Sequence, residues 1–107
     1  MTNQGENMAR DFLLSKGYEI LAMNFRAGQM GEVDIVCRDG DEVVFVEVKM
    51  RSGNDFGEPE EAVGLRKLAK IRRVAEIYLS QNRLEKSLWR IDVIAIKNNE
   101  IEHITID

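Results

Sequence analysis

Two runs rich in Val, Ile and Phe, Glu32 to Arg38 and Glu42 to Met50, flank Asp39-Gly40-Asp41, and this pattern constrains the fold more than any other in the chain. β-Branched and aromatic side chains suit pleated strands, and an Asp-Gly or Gly-Asp pair suits a tight reversal between antiparallel neighbours. With a two-residue turn, whether Asp39-Gly40 or Gly40-Asp41, opposed residues share a sheet face. Asp34 then joins Val36, Val43, Phe45, Glu47 and Lys49 on one side. The other side carries Val33, Ile35, Cys37, Val44, Val46 and Val48. One face is wholly apolar; its opposite is apolar beside the turn and charged at the far end.

Asn3 and Glu6 have capping-box spacing, and Met8, Ala9, Phe12 and Leu13 follow at helical intervals, which predicts a helix from about Gln4 to Lys16 that stops at Gly17. Tyr18 to Phe25 reads as a strand, and Gly28-Gln29-Met30-Gly31 as a loop. Residues 51 to 58 read as a second loop, after which Pro59 fits the first turn of a helix reaching Gln81. That helix carries an apolar stripe of Gly64, Leu68, Ile71, Ala75, Tyr78 and Leu79. Arg66, Lys70 and Arg73 lie on its opposite side, and Lys67 lies near the boundary. Trp89 to Lys97 reads as a strand, Asn98-Asn99 as a turn, and Ile101 to Thr105 as a short edge strand. The expected fold is α/β: a mixed sheet of four to five strands flanked by helices, in the order α-β-β-β-α-β-β, built as one domain over residues 1–107.

A chain of 107 residues with 44% hydrophobic and 32% charged positions can bury a core of ordinary density but cannot hold a second domain. Its longest apolar runs are four residues, as at Val43 to Val46 and Val93 to Ile96, too short to cross a bilayer. The polar start, Met1 to Glu6, lacks the pattern of a secretory signal, so a cytoplasmic location is expected. A single cysteine excludes an internal disulfide and a Cys-based zinc cage, and Cys37 reads as a core thiol. The net charge of −4 argues against coating nucleic acid by bulk electrostatics. Locally the balance reverses: residues 66–73 hold five basic side chains and no acid.

The charged end of the hairpin is where chemistry is expected. A strand with both faces covered has little reason to place an acid and a lysine in Phe45-Val46-Glu47-Val48-Lys49, because partly buried unpaired charge is costly. Asp34 points to the same patch. Two adjacent carboxylates repel, and one tends to keep its proton unless a divalent cation lies between them. Oxygen ligands suit Mg2+, or Mn2+ as its substitute, over zinc. Asp34, Glu47 and the carbonyl of Val48 are the expected metal ligands, an arrangement suited to phosphodiester hydrolysis, with Lys49 positioning a water or stabilising charge on the phosphate.

Four blocks carry a resemblance: Gly31 to Val36, Val44 to Arg51, Phe56 to Val63 and Arg90 to Ile94. Together, in order and at family spacing, they resemble the YraN-like family of small bacterial proteins, essentially end to end. The Asp34 … Glu47-Val48-Lys49 pattern, preceded by a helix bearing Glu6, is also similar to the PD-(D/E)xK nuclease superfamily and its Holliday junction resolvase branch. The resemblance implies a restriction-endonuclease-like fold and a metal-dependent endonuclease acting on branched, nicked or single-stranded DNA. It matches Asp34, Glu47 and Lys49 to catalytic positions and Glu6 to the helix-borne acid of the resolvase branch. The proline that names the superfamily is replaced here by Val33. The resolvase likeness also implies a two-fold homodimer.

Each candidate has a plainer alternative. Glu6 can close the capping box and favour the helix dipole, and Glu47 with Lys49 can form a structural ion pair if a third group joins them. Arg66, Lys70 and Arg73 can be a solvated helix face or a phosphate track. Lys67, Arg51 and Lys49 are placed to line a groove for nucleic-acid backbone. Glu32 is either a further ligand or a solvated strand end, Phe56 a loop anchor or a base-stacking ring, and His103 an inert edge residue. The rival function is a non-catalytic nucleic-acid-binding module of the same fold that acts within a complex. A third is a metal-stabilised scaffold with no nucleic-acid partner.

Overall fold

The computed structural model describes residues 3–51 and 64–106, with Arg51 described in its backbone alone. Helix α1 spans Gln4–Ser15, and Asn3 caps it by accepting the Glu6 N–H at 2.7 Å. Gly17, at a φ of 87°, ends it where other residues would be strained. Strand β1 is Glu19–Arg26, followed by a 3₁₀ turn at Gly28–Met30 and then β2, Glu32–Asp39, and β3, Glu42–Arg51. Helix α2 is Leu65–Gln81, and Gly64, expected inside the helix on its apolar stripe, is instead its exposed, extended N-cap; Pro59, the expected start, lies outside the described residues. Strands β4, Leu88–Lys97, and β5, Glu100–Thr105, complete the chain, joined by Asn98 and Asn99, both at positive φ.

These strands form one five-stranded sheet in the order β1-β2-β3-β4-β5. All neighbours are antiparallel except β3 and β4, whose parallel pairing requires the crossover that α2 supplies. Asp39 pairs with Glu42, so the β2–β3 turn is Gly40-Asp41, with Gly40 at a φ of 61°. The architecture and element order are those expected from the sequence.

Two cores result. On one face Val36, Val43, Phe45, Ile91 and Val93 pack against Ile71, Val74, Ala75, Tyr78 and Leu79 of α2. Phe45 makes edge-on contacts with Tyr78 and Trp89. On the other face Ile35, Cys37, Val44, Val46, Ile94 and Ile96 pack against Ala9 and Leu13 of α1. Burial pushes the Cys37 thiol up to about 12, as befits a core side chain.

Val33 departs from the expected alternation. It belongs with Val36 on the α2 side, although Ile35, two residues on, lies on the α1 side. Its neighbour strand does the same: Met23 packs towards α1 and Phe25 towards α2. Asn24 and Asp34 sit between the paired Met23–Ile35 and Phe25–Val33, and Asn24 has a φ of 53°. A left-handed residue turns the strand about its axis, so strict period-two reasoning fails there.

A buried polar network fastens the opposite end of the α1-facing side. Asp92 is fully buried and accepts Arg90 Nε at 3.0 and 3.2 Å, and His103 Nε2 lies 2.6 Å from it. Arg90 also reaches Asp39 at 3.2 Å, Glu42 at 2.7 Å and the Tyr18 hydroxyl at 3.1 Å. Burial alone would raise the Asp92 pKa, but His103 and Arg90 hold it below the usual range. Lys16 Nζ lies 2.9 Å from His103 Nδ1. His103 is thus a buried structural partner of Asp92, not the idle edge residue expected from its place in the sequence. The Arg90-Ile91-Asp92 block is explained by this clamp between the hairpin turn, β4 and β5.

Candidate active site

The β2–β3 ladder registers from Asp39–Glu42 to Ile35–Val46 and then parts. Pairs flanking a two-residue turn exchange hydrogen bonds and alternate thereafter, so the next exchange would be Val33 with Val48. Instead, the Val48 N–H donates to Asp34 Oδ2 at 2.8 Å. A side-chain carboxylate has taken the place of a strand carbonyl. Because N–H and C=O of one residue leave a strand on the same side, the Val48 carbonyl also faces the opening.

Three acids meet at this fork. Asp34 comes from β2, Glu47 from β3, and Glu6 from the first turn of α1; Glu6 and Glu47 are 8% and 6% exposed. The Asp34 carboxyl group lies close enough to influence the titration of both. Burial, reinforced by Asp34, raises the Glu6 pKa, and the same two causes, partly offset by Lys67, push Glu47 up to about 7. The capping box is used in one direction only: Asn3 receives the Glu6 N–H, whereas the Glu6 carboxylate accepts Asn24 Nδ2 at 2.9 Å. Glu6 therefore belongs to the acidic cluster as well as to the helix cap.

Two lysines answer the acids. Lys49 follows Glu47 on β3, and burial together with the neighbouring Lys67 lowers its pKa. Lys67, on the first turn of α2, places Nζ 3.2 Å from Glu47 Oε1. Burial would lower the Lys67 pKa, but Glu47 and Asp34 outweigh it and raise the value. The ion pair that Glu47 makes is thus with Lys67, from another element.

A groove of about 630 Å3 opens over the fork, with Asp34 and Glu47 on its floor and Arg66, Lys67 and Lys70 on the α2 wall. Glu32 lies at its rim and pairs with Arg26 at 3.3 Å. Arg73 is exposed and does not line the groove. The side chain of Arg51 and all of Phe56 lie outside the described residues. Among the described residues no three His, Cys, Asp or Glu side chains are gathered tightly enough to hold a metal as they stand. Each acid is already engaged, Asp34 by Val48, Glu47 by Lys67 and Glu6 by Asn24. The donor chemistry nevertheless fits Mg2+, which takes one or two carboxylates and fills its remaining positions with water and phosphate oxygen. Asp34, Glu47 and the Val48 carbonyl form such a partial set.

Asn24 is the residue that sequence reasoning missed. Its signal was an asparagine inside an otherwise apolar strand, where β-propensity is poor and left-handed backbone is tolerated. Lys67 was placed at the edge of the basic helix face; the fold turns that edge towards the acids.

The model of the uncharacterised protein family UPF0102 matches residues 5–96. The UPF0102 protein THEYE_A1950 of Thermodesulfovibrio yellowstonii is 46% identical over 101 residues, covering 94% of this chain and 88% of its own. A UPF0102 protein of Natranaerobius thermophilus is 45% identical over 105 residues, covering 92% and 88%. One from Acetivibrio thermocellus is 46% identical over 102 residues, covering 92% and 78%. No helix among the described residues is long and apolar enough to cross a membrane.

Proposed function

The chain belongs to the uncharacterised protein family UPF0102, and from its site we propose that it is a metal-dependent endonuclease of the PD-(D/E)xK type. Its substrates are phosphodiester bonds in branched, nicked or single-stranded DNA, met in the cytoplasm. The observation that carries this reading is the meeting of Asp34 and Glu47 at one fork in the sheet, at the foot of a groove walled by Arg66, Lys67 and Lys70, with Glu6 and Lys49 adjoining the two acids outside the groove's lining. Four residues from three elements, most of them costly to bury, have no packing reason to converge there.

A bound divalent cation, Mg2+ or Mn2+, supplies polarisation of a phosphate oxygen and a lowered pKa for the attacking water. Asp34, Glu47 and the Val48 carbonyl would hold it. Lys49, whose pKa burial and the neighbouring Lys67 lower, orients the attacking water or meets the charge growing on the phosphate. Glu6, fixed by Asn24, sets the position of Asp34. Arg66 and Lys70 fit the flanking phosphates as point charges along the groove. A two-fold dimer would present two such grooves to a two-fold junction.

A non-catalytic nucleic-acid-binding module is the second reading. The engagement of each acid by a protein partner favours it, since a site that only binds has no need to release them. The deciding experiment is cleavage of an end-labelled panel of duplex, nicked, flapped, single-stranded and four-way-junction DNA, with RNA alongside, in Mg2+ and in Mn2+. Cutting that disappears with Lys49→Ala supports the nuclease. Binding without cutting, or cutting that survives in the variant, moves the function to the second reading.

A further inference from the structure

Lys67 is the one member of the cluster that sits on a half-exposed, flexible side chain. It is 47% exposed while its partner Glu47 is 7% exposed, and its Nζ stands 3.2 Å from Glu47 Oε1. An ammonium at that distance neutralises one carboxylate of the pair that a divalent cation would otherwise bridge. It also stands beside a second ammonium, Lys49, so the site holds two neighbouring positive charges that repel each other and any incoming cation. Both acids are fixed on strands, whereas Lys67 has four methylene groups with which to swing away. Arg66 and Lys70, its neighbours on α2, line the same groove.

We propose that Lys67 is a built-in counter-ion that holds the place of the divalent cation: metal entry displaces its ammonium from Glu47 into the groove, where it joins Arg66 and Lys70 as a phosphate-binding group. This inference rests on the metal-dependent reading of the site. It adds an order to it, in which the cation loads first and thereby creates the third positive group for the nucleic-acid backbone. By linkage, a phosphate chain that captures Lys67 also strengthens cation binding by the same factor. The arrangement keeps the buried carboxylates compensated between turnovers, and it makes grip on the substrate conditional on a loaded site.

The test is Mn2+ affinity of the full chain, measured by calorimetry or by the spin resonance of free Mn2+, for the wild type, Lys67→Met and Lys70→Met. Methionine keeps the length of the lysine stem without its charge, and both positions are exposed enough to tolerate it. Displacement predicts that Lys67→Met binds Mn2+ at least about tenfold more tightly than the wild type, because the competing ammonium is gone. Lys70→Met, which removes an equal charge one turn further on, should shift the affinity far less. Equal gains in the two variants would mean general electrostatics and would overturn the proposal, as would an unchanged or weaker affinity in Lys67→Met. Failure of the wild type and both variants to bind Mn2+ would instead sink the metal-dependent reading beneath it. A second measurement follows the lysine: Ca2+ should raise the affinity of the wild type for a labelled four-way junction, and Lys67→Met should lose that gain.

Discussion

Replacing Glu47 by glutamine should remove a pH dependence of stability that the wild type carries. Burial and the adjacent Asp34 hold the Glu47 pKa at about 7 in the folded protein, against 4.5 for an ordinary glutamate. The folded state therefore binds a proton that the unfolded chain has released across that window. Stability contributed by this proton is complete below about 4.5, falls as pH rises, and is lost above about 7. At roughly 1.4 kcal/mol per unit the loss is about 3 kcal/mol, a large share of the roughly 5–15 kcal/mol that holds a domain of this kind together. Glutamine preserves the shape and cannot ionise. Urea unfolding at pH 5 and pH 8, at fixed ionic strength and with EDTA present, measures the effect as the difference between the two proteins. The wild type should lose about 3 kcal/mol more than the variant between these pH values. Parallel profiles, within about 0.5 kcal/mol, would refute the account of Glu47 as an acid whose burial and nearness to Asp34 outweigh its pairing with Lys67. Mg2+ added at pH 8 should restore the wild type and leave the variant unchanged.

Mg2+ or Mn2+ at millimolar concentration should raise the melting temperature by mass action, and Asp34→Asn should abolish that rise; a thermal-shift series that rises equally in both proteins would remove Asp34 from the metal site. Arg66→Ala combined with Lys70→Ala should weaken DNA binding at every sequence and flatten its logarithmic salt slope by up to about 1.8, whereas Arg73→Ala, outside the groove, should leave the slope alone. Anisotropy titrations across a range of salt concentrations distinguish the two: a slope unchanged in the Arg66/Lys70 variant would return that helix face to solvent, and a slope that responds to Arg73 would extend the phosphate track beyond the groove.

Much of this architecture is visible in the chain because local and global preferences agree. The hairpin announces itself through Val, Ile and Phe on either side of Asp39-Gly40-Asp41, and its register already brings Asp34, Glu47 and Lys49 to one patch. Periodicity could not show the rotation at Asn24 and Asp34, since it assumes an undistorted pleat; Val33 was assigned to the wrong face for that reason. Lys67 lines the groove as expected, but its pairing with Glu47 escaped because a helical wheel ranks residues around one axis and says nothing of what the helix packs upon. The Asp92–His103 contact needed the β4–β5 register, which places His103 opposite Ile94 and two residues from Asp92's own partner, Thr105. A sequence with one histidine gives no pattern from which to infer that burial. The comparisons establish the family and the structure establishes the meeting of the charges; the activity proposed rests on their chemistry alone.

The parallel seam between β3 and β4 joins residues far apart in the chain, as in the pairing of Glu42 with Leu88. Strands β1 to β3 need only near neighbours, so they can assemble as a meander while the rest of the chain is still being made. The seam must await α2 and the closure of a long loop, the slow kind of step in folding. Lys67 and the wall of the groove arrive with it. A nascent or truncated chain that stops before β4 thus carries the hairpin acids in water, with ordinary titration and no basic wall beside them. Completion of that crossover is what turns an acidic hairpin into a groove with a basic wall, so the charges meet only once β4 has been made.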